Sequence, residues 1–224
     1  DGASPCDQVL HVQRTYRLDN GQTWTPRNTN HRRVGEMVSI QWGLQNSDNW
    51  VTAELMSRTS PLTFKRLLES YGLRGPIEAT MAMSLGTPEA TVGEMVSGYT
   101  TFVNDGVRVD PILVTQIEDM HGNIVATFAP KMTEVLTADA AHKMLYMLQN
   151  VVNGGTGGRL RSSFGLQMPL GGKTGTTQNN SDTWFMGFTP DLVAGCWVGG
   201  EERSVRFNSM AFGQGAAAAL PIFG

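Results

Sequence analysis

Seven residues, Gly171-Gly172-Lys173-Thr174-Gly175-Thr176-Thr177, have the composition of a site that grips an anion. An ammonium, three hydroxyls and backbone N–H groups left open by glycine can together hold a carboxylate or a developing oxyanion. The threonines are β-branched and favour an extended backbone, and the glycines remove bulk where another chain must approach. An ordinary polar hairpin edge uses the same residue types, so the run needs partners before it implies chemistry. A nucleotide-phosphate loop is excluded, because that pattern places a glycine five residues ahead of Gly172, and Gln167 stands there.

The best partner in the chain is Ser47-Asp48-Asn49. A hydroxyl can relay a proton, a carboxamide can donate to one substrate group while accepting from another, and a nearby ammonium favours the alkoxide-like state of the hydroxyl. These roles suit acyl transfer. Taken singly the triplet is also a plain helix N-cap.

The elements that must carry these residues are legible from periodicity. The first thirty-odd residues alternate short extended pieces with turn signals, Asp19-Asn20-Gly21 and Pro26-Arg27-Asn28 among them, and little chemistry is expected there. From Glu36 the spacing of Met37, Ile40 and Leu44 predicts a helix; residues 46–49 interrupt it, and a second helix runs from Trp50 to Met56, leaving Ser47 at the junction. Ser60-Pro61 opens a helix with the stripe Phe64, Leu67, Leu68 and Tyr71, closed by Gly72. Thr91-Val92-Gly93-Glu94 has the form of a capping box and starts an apolar stripe that Asn104-Asp105-Gly106 ends. Residues 112–118 and 124–128 read as a hairpin, and Thr137 opens an amphipathic helix that leaves through Asn153-Gly154-Gly155. Residues 170–177, 183–188 and 192–198 then read as strands in an antiparallel sheet. The class is α+β, with a helical layer joined to a C-terminal antiparallel sheet.

Composition narrows the function. At 224 residues, one domain or a large part of one is expected, and a net charge of −3 with scattered Lys and Arg argues against nucleic acid as a partner. The four histidines and two cysteines never reach metal-ligand spacing, so neither a metal nor another cofactor is expected. Cys6 and Cys196 are not expected to pair, since Cys196 reads as a small core residue.

Combined in this order, Ser47-Asp48-Asn49 and Lys173-Thr174-Gly175 resemble two of the three signatures of the penicillin-recognising serine acyltransferases, which include penicillin-binding proteins and serine β-lactamases. Thr23-Trp24-Thr25-Pro26-Arg27-Asn28, residues 85–89, residues 99–106, Asn153-Gly154-Gly155-Thr156-Gly157 and residues 182–190 extend the resemblance, over nearly the whole chain, to the transpeptidase domain of class A, bifunctional penicillin-binding proteins. It implies a β-lactamase/penicillin-binding-protein-like fold, incomplete at its N-terminal side, with residues 1–224 forming a partial transpeptidase domain. It also implies a peptidoglycan D,D-transpeptidase that transfers acyl groups from D-Ala-D-Ala stem peptides to an amine and is trapped by β-lactams. The site residues carried over are catalytic Ser47, Asn49 and Lys173, and substrate-binding Thr174, Gly175, Thr176 and Thr177. Ser47 would relay the proton to the leaving nitrogen and Lys173 would polarise Ser47. Asn49 would hold the acyl side chain's amide, Thr174 and Thr176 the terminal carboxylate, and the Thr176 N–H half of an oxyanion hole. Asp182 and Trp184 would brace the strand pair, and Thr156 and Gly157 would line the rim. A parent anchored in the bacterial inner membrane and working on its periplasmic face is implied too.

The third signature, Ser-x-x-Lys, is missing: Lys65, Lys131, Lys143 and Lys173 are preceded three residues earlier by Leu62, Phe128, Ala140 and Leu170. The chain is therefore expected to begin just after the nucleophile helix, to be inactive alone, and to expose a sheet edge that favours self-association. Three rivals remain. A serine β-lactamase shares the Ser-Asp-Asn spelling, but its Glu-x-x-x-Asn has no counterpart between the two motifs. A noncatalytic penicillin- or peptide-binding module would keep the groove without the nucleophile. A free-standing hydrolase would use Ser47 and Lys173 directly.

Overall fold

A computed structural model of the chain describes residues 2–18 and 20–224. It opens with four short strands, β1 (Gln8–Leu10), β2 (Tyr16–Arg17), β3 (Thr23–Trp24) and β4 (Met37–Ser39). They form two antiparallel pairs, β1 with β4 and β2 with β3. Of the turn expected between β2 and β3, Asp19 lies outside the described residues, and Gly21 takes a left-handed φ of 81°. Helices α1 (Ile40–Gln45), α2 (Asn49–Met56), α3 (Pro61–Ser70) and α4 (Val92–Val103) follow, with a 3₁₀ turn at Met81–Leu85. Strands β5 (Val107–Val109) and β8 (Met132–Glu134) pair around the hairpin β6 (Gln116–Glu118) and β7 (Ile124–Thr127). Helices α5 (Ala138–Gly154) and α6 (Arg159–Ser162) lead into β9 (Gly171–Thr176), β10 (Asp182–Phe188) and β11 (Val193–Gly199), and α7 (Leu220–Phe223) comes last.

Local chemistry accounts for most of these boundaries. The capping box closes in both directions, Glu94 N donating to Thr91 Oγ1 at 3.2 Å and Thr91 N to Glu94 Oε2 at 2.8 Å. Thr137 caps α5 through Ala140 N, and Pro61 takes the first turn of α3. Two expectations fail. Met37 is in a strand, not a helix, because Val38 is buried with Val9 and Val51 and the β1 ladder claims its backbone. Ser39 then caps α1, accepting from Trp42 N, so the helix begins only at Ile40. The hairpin is also shorter than its apolar residues imply: Ile112, Leu113 and Val114 lie outside β6 and stay exposed.

The last three strands form one antiparallel sheet in the order β11-β10-β9, with Lys173 opposite Met186 and Thr176 opposite Thr183. Among the described residues, β11 pairs only with β10. A buried cluster of Val152, Leu160, Leu170, Phe185, Ala219 and Leu220 ties the sheet to α5, α6 and α7. Helix α5 runs along β9 and also contacts α1, so one helix fixes the distance between the Ser47 turn and the Lys173 strand. Gly172 lets β9 lie close: a Cβ there would stand 2.5 Å from Met186 O and 2.7 Å from Phe185 Cζ. Gly172→Ala is expected to cost about 1–3 kcal/mol in urea unfolding, since the strand must shift to admit the methyl.

Candidate active site

Ser47 is the middle residue of the three-residue break between α1 and α2. Its backbone takes a left-handed φ of 55°, a conformation that a serine adopts only where its surroundings enforce it. The turn is closed by Ser47 N donating to Leu44 O at 3.1 Å and Asp48 N to Gly43 O at 2.8 Å. This aims an exposed Ser47 side chain away from the helices and towards β9. There Lys173 Nζ donates to Ser47 Oγ at 2.6 Å and to the Thr174 carbonyl at 2.8 Å. Residues 126 positions apart thus share one hydrogen bond. Burial pushes the Lys173 ammonium down to about 8 from 10.5.

The hydroxyls along β9 are not equivalent. Thr174 Oγ1 donates to Thr156 Oγ1 at 2.8 Å, and Thr156 N donates to Gln45 O at 3.1 Å, so the glycine-rich exit of α5 bridges β9 and the end of α1. Thr176 Oγ1 accepts from Gly215 N at 3.0 Å, which leaves its own proton free to be donated. Gly175 lies between the Trp184 side chain and Gly215: a Cβ on Gly175 would meet Trp184 Cβ at 3.0 Å, and one on Gly215 would meet Gly175 O at 2.5 Å. Thr177 turns away into the β9–β10 connection, where its hydroxyl bonds Ser181 Oγ at 2.9 Å and Asp182 Oδ2 at 3.0 Å. Burial pushes the Asp182 carboxyl up, but hydrogen bonds from Ser181, Trp197 and Thr177 outweigh it and hold the group below its usual range.

Asn49 begins α2, and its Nδ2 donates to Arg27 O at 2.8 Å. That contact belongs to a part of the chain from which little chemistry is expected on sequence grounds, and hydrogen bonds tie that part to the Ser47 turn. Asn28 Nδ2 donates to Asp48 Oδ2 at 2.8 Å, Asn28 Oδ1 accepts from Asn49 N at 3.2 Å, and Pro26 O accepts from Trp50 Nε1 at 3.1 Å. His11 Nε2 reaches Asp48 Oδ2 at 2.9 Å, both side chains being fully buried. Sequence reasoning missed His11, Asn28 and Gly215. Only the segment Thr23 to Asn28 gave a signal, as a turn and as part of the family resemblance, and that signal did not name its partner.

An ammonium, a hydroxyl and two threonine hydroxyls brought together in this way suit acyl transfer. Comparison with known proteins agrees: a family model described as the penicillin binding protein transpeptidase domain matches residues 6–194. The chain belongs to this family. Penicillin-binding protein 1A of Neisseria gonorrhoeae is 29% identical over 210 residues, which cover 91% of this chain and 26% of that protein. Penicillin-binding protein 1A of Aquifex aeolicus is 30% identical over 211 residues, covering 93% and 28%. This chain therefore spans little more than a quarter of the length of these relatives. The crystal structure of penicillin-binding protein 1A from Haemophilus influenzae superposes with a TM-score of 0.86 at 21% identity, over 97% of this chain and 38% of that one. The penicillin G acyl-enzyme complex of penicillin-binding protein A from M. tuberculosis gives 0.75 at 18%, over 99% and 55%. The transpeptidase family and its α+β fold, expected from the motifs, are both borne out.

The Lys173 environment makes a prediction about stability. Between about pH 8 and 10.5 the unfolded chain still binds a proton that the folded chain has released, so folding stability gains with rising pH across that window. Denaturant unfolding of the chain and of Lys173→Met, compared at steps through the window, should show this gain only in the parent sequence.

Proposed function

We propose that this chain supplies the proton-relay and carboxylate-recognition half of a peptidoglycan D,D-transpeptidase. The Lys173–Ser47 hydrogen bond, flanked by Thr174 and Thr176, carries the reading. A serine from a Ser-x-x-Lys segment outside residues 1–224 attacks the carbonyl of a terminal D-alanyl-D-alanine unit. The attacking serine's proton passes to the lysine of that segment and on through Ser47 Oγ to the departing D-alanine nitrogen, so that Ser47 regains the proton it gives, while the C–N bond breaks and the acyl group stays on the attacking serine as an ester. Attack by an amine from a neighbouring strand reverses the proton flow and releases the serine. Lys173 steadies Ser47 Oγ while its proton is in transit, because a nearby cation lowers the cost of developing negative charge. Thr176, its hydroxyl already accepting from Gly215 N, offers its proton to the substrate's terminal carboxylate beside Thr174. Gly175 keeps the strand free of bulk there, and Asn49 borders the acyl side chain. Thr177 acts through the turn it braces.

On this reading β-lactams acylate the same serine, and the parent protein is bifunctional, with a glycosyltransferase module, a membrane anchor and an extracytoplasmic site. Among the described residues no helix is long and apolar enough to cross a membrane. The unpaired edge of β11 favours self-association of the chain by itself.

Intact-mass measurement after incubation with benzylpenicillin tests the assignment. The chain as it stands should gain no mass, and a protein extended upstream to include Ser-x-x-Lys should gain one penicilloyl group that persists. A stable adduct on the chain itself, abolished by Ser47→Ala, would make Ser47 the nucleophile and overturn the reading. Rapid turnover of the drug by the extended protein would assign it to the hydrolases. In the extended protein Ser47→Ala should slow acylation by roughly 10²–10⁴-fold. Acylation should also decline above about pH 8, where Lys173 loses the proton that makes it a cation.

A further inference from the structure

The Ser47 turn rests on a carboxylate for which the acyl-transfer chemistry has no use. Asp48 is fully buried, and its two oxygens meet four nitrogens, three of them as hydrogen-bond donors. Oδ1 accepts the Trp50 and Val51 N–H groups, both at 3.1 Å, while Oδ2 accepts Asn28 Nδ2 at 2.8 Å and lies 2.9 Å from His11 Nε2. The first two bonds are what an N-cap requires. The other two contacts exceed it, and they come from segments 37 and 20 positions upstream in the chain. At an exposed N-cap, water would fill those sites; here rigid side chains fill them and fix the carboxylate's direction as well as its charge.

Both side chains are themselves held. The His11 ring is wholly buried between the Trp42 and Trp50 indoles, with centroids 5.2 and 5.0 Å away, and its backbone is clipped to Glu36 O and Gly35 N at 2.9 Å each. Asn28 spends its second amide hydrogen on Asn30 O at 2.8 Å while its carbonyl grips Asn49 N. Asp48 and Asn49, the two residues after Ser47, are therefore clamped from one side. Ser47 alone is left projecting, at a φ it would not choose unaided.

We propose that His11 and Asn28 are positioning residues that, acting through Asp48, hold Ser47 Oγ against Lys173. Their consequence for the reaction rests on the transpeptidase reading, but the positioning itself can be measured without turnover. If the clamp is released, the turn relaxes, Ser47 withdraws and water reaches the Lys173 ammonium.

The experiment is an NMR titration of side-chain-labelled lysines in this chain, with Lys173 assigned by Lys173→Met. The Lys173 midpoint should lie near 8 in the parent sequence. His11→Gln, whose amide can replace the Nε2 contact with Asp48, should leave it in place. His11→Leu and Asn28→Ala should move it up by about one unit towards the ordinary lysine value. A folded His11→Leu chain, cooperative in thermal unfolding, with an unmoved midpoint would overturn the proposal, because a merely structural histidine would lower the melting temperature alone. Should His11→Leu fail to fold, Asn28→Ala and Asp48→Asn decide on the same criterion. Benzylpenicillin acylation of the extended protein separates the two claims. No acylation of the parent sequence defeats the transpeptidase reading and leaves the lysine shift to stand, whereas unchanged acylation in His11→Leu beside a normal parent defeats the positioning.

Discussion

A single hydrogen bond, Lys173 Nζ to Ser47 Oγ, sets the geometry that the rest of the chain must satisfy. It joins a strand edge to a helix junction across 126 positions, and burial disfavours the ammonium that makes it. Neither partner could keep such a contact by its own local structure. A lysine on an edge strand has a long flexible stem, and a serine in a tight turn readily returns to an ordinary φ. The contact persists because α5 packs on both α1 and β9 and converts two separate elements into one frame. Thr156 completes the frame, its amide on Gln45 O and its hydroxyl on Thr174 Oγ1.

This division of labour explains what could be read from the sequence and what could not. Caps and strands are local events, so the Thr91 box, the Thr137 cap and the three C-terminal strands announce themselves in short windows. Ser47 and Lys173 were legible as chemistry because their neighbours form motifs, although nothing in either window states that the two meet. The contacts of His11 and Asn28 were illegible for the opposite reason. A lone histidine after a three-residue strand and an asparagine in a turn have many ordinary uses, and only the fold brings them to one carboxylate. Met37 misled because three apolar residues at helical spacing also fit a strand that hands over to a helix at Ser39. The apolar run at residues 112–114 misled through exposure: it reads as strand by composition yet pairs with nothing in β7.

The strained turn at Ser47 illustrates how a functional group is kept outside the ordinary rules of its element. Continuing α1 into α2 without a break would have buried the hydroxyl along a helix face or pointed it at solvent. Breaking the helix at a left-handed residue lifts the side chain off both helices, at a conformational cost of order 1 kcal/mol or more. Asp48 offsets that cost immediately, since it caps α2, accepts from Asn28 Nδ2 and lies 2.9 Å from His11 Nε2. Strain and its compensation are thus adjacent in sequence, one residue presenting a hydroxyl to Lys173 and the next the anchorage.

A similar asymmetry governs the two threonines Thr174 and Thr176 on β9. A hydroxyl that accepts a backbone N–H has its proton left over for an anion, which is the condition of Thr176 beneath Gly215. Thr174 instead gives its proton to Thr156, so a carboxylate arriving there must draw that proton away from an existing bond. Under the transpeptidase reading the first hydroxyl binds without reorganisation, and the second binds at the expense of the link between β9 and the α5 exit. Because that exit also holds Gln45 at the end of α1, loosening it would be felt at Ser47. Recognition of the terminal carboxylate and placement of the proton relay are therefore mechanically connected through Thr156, and a ligand lacking the carboxylate would leave that connection unused.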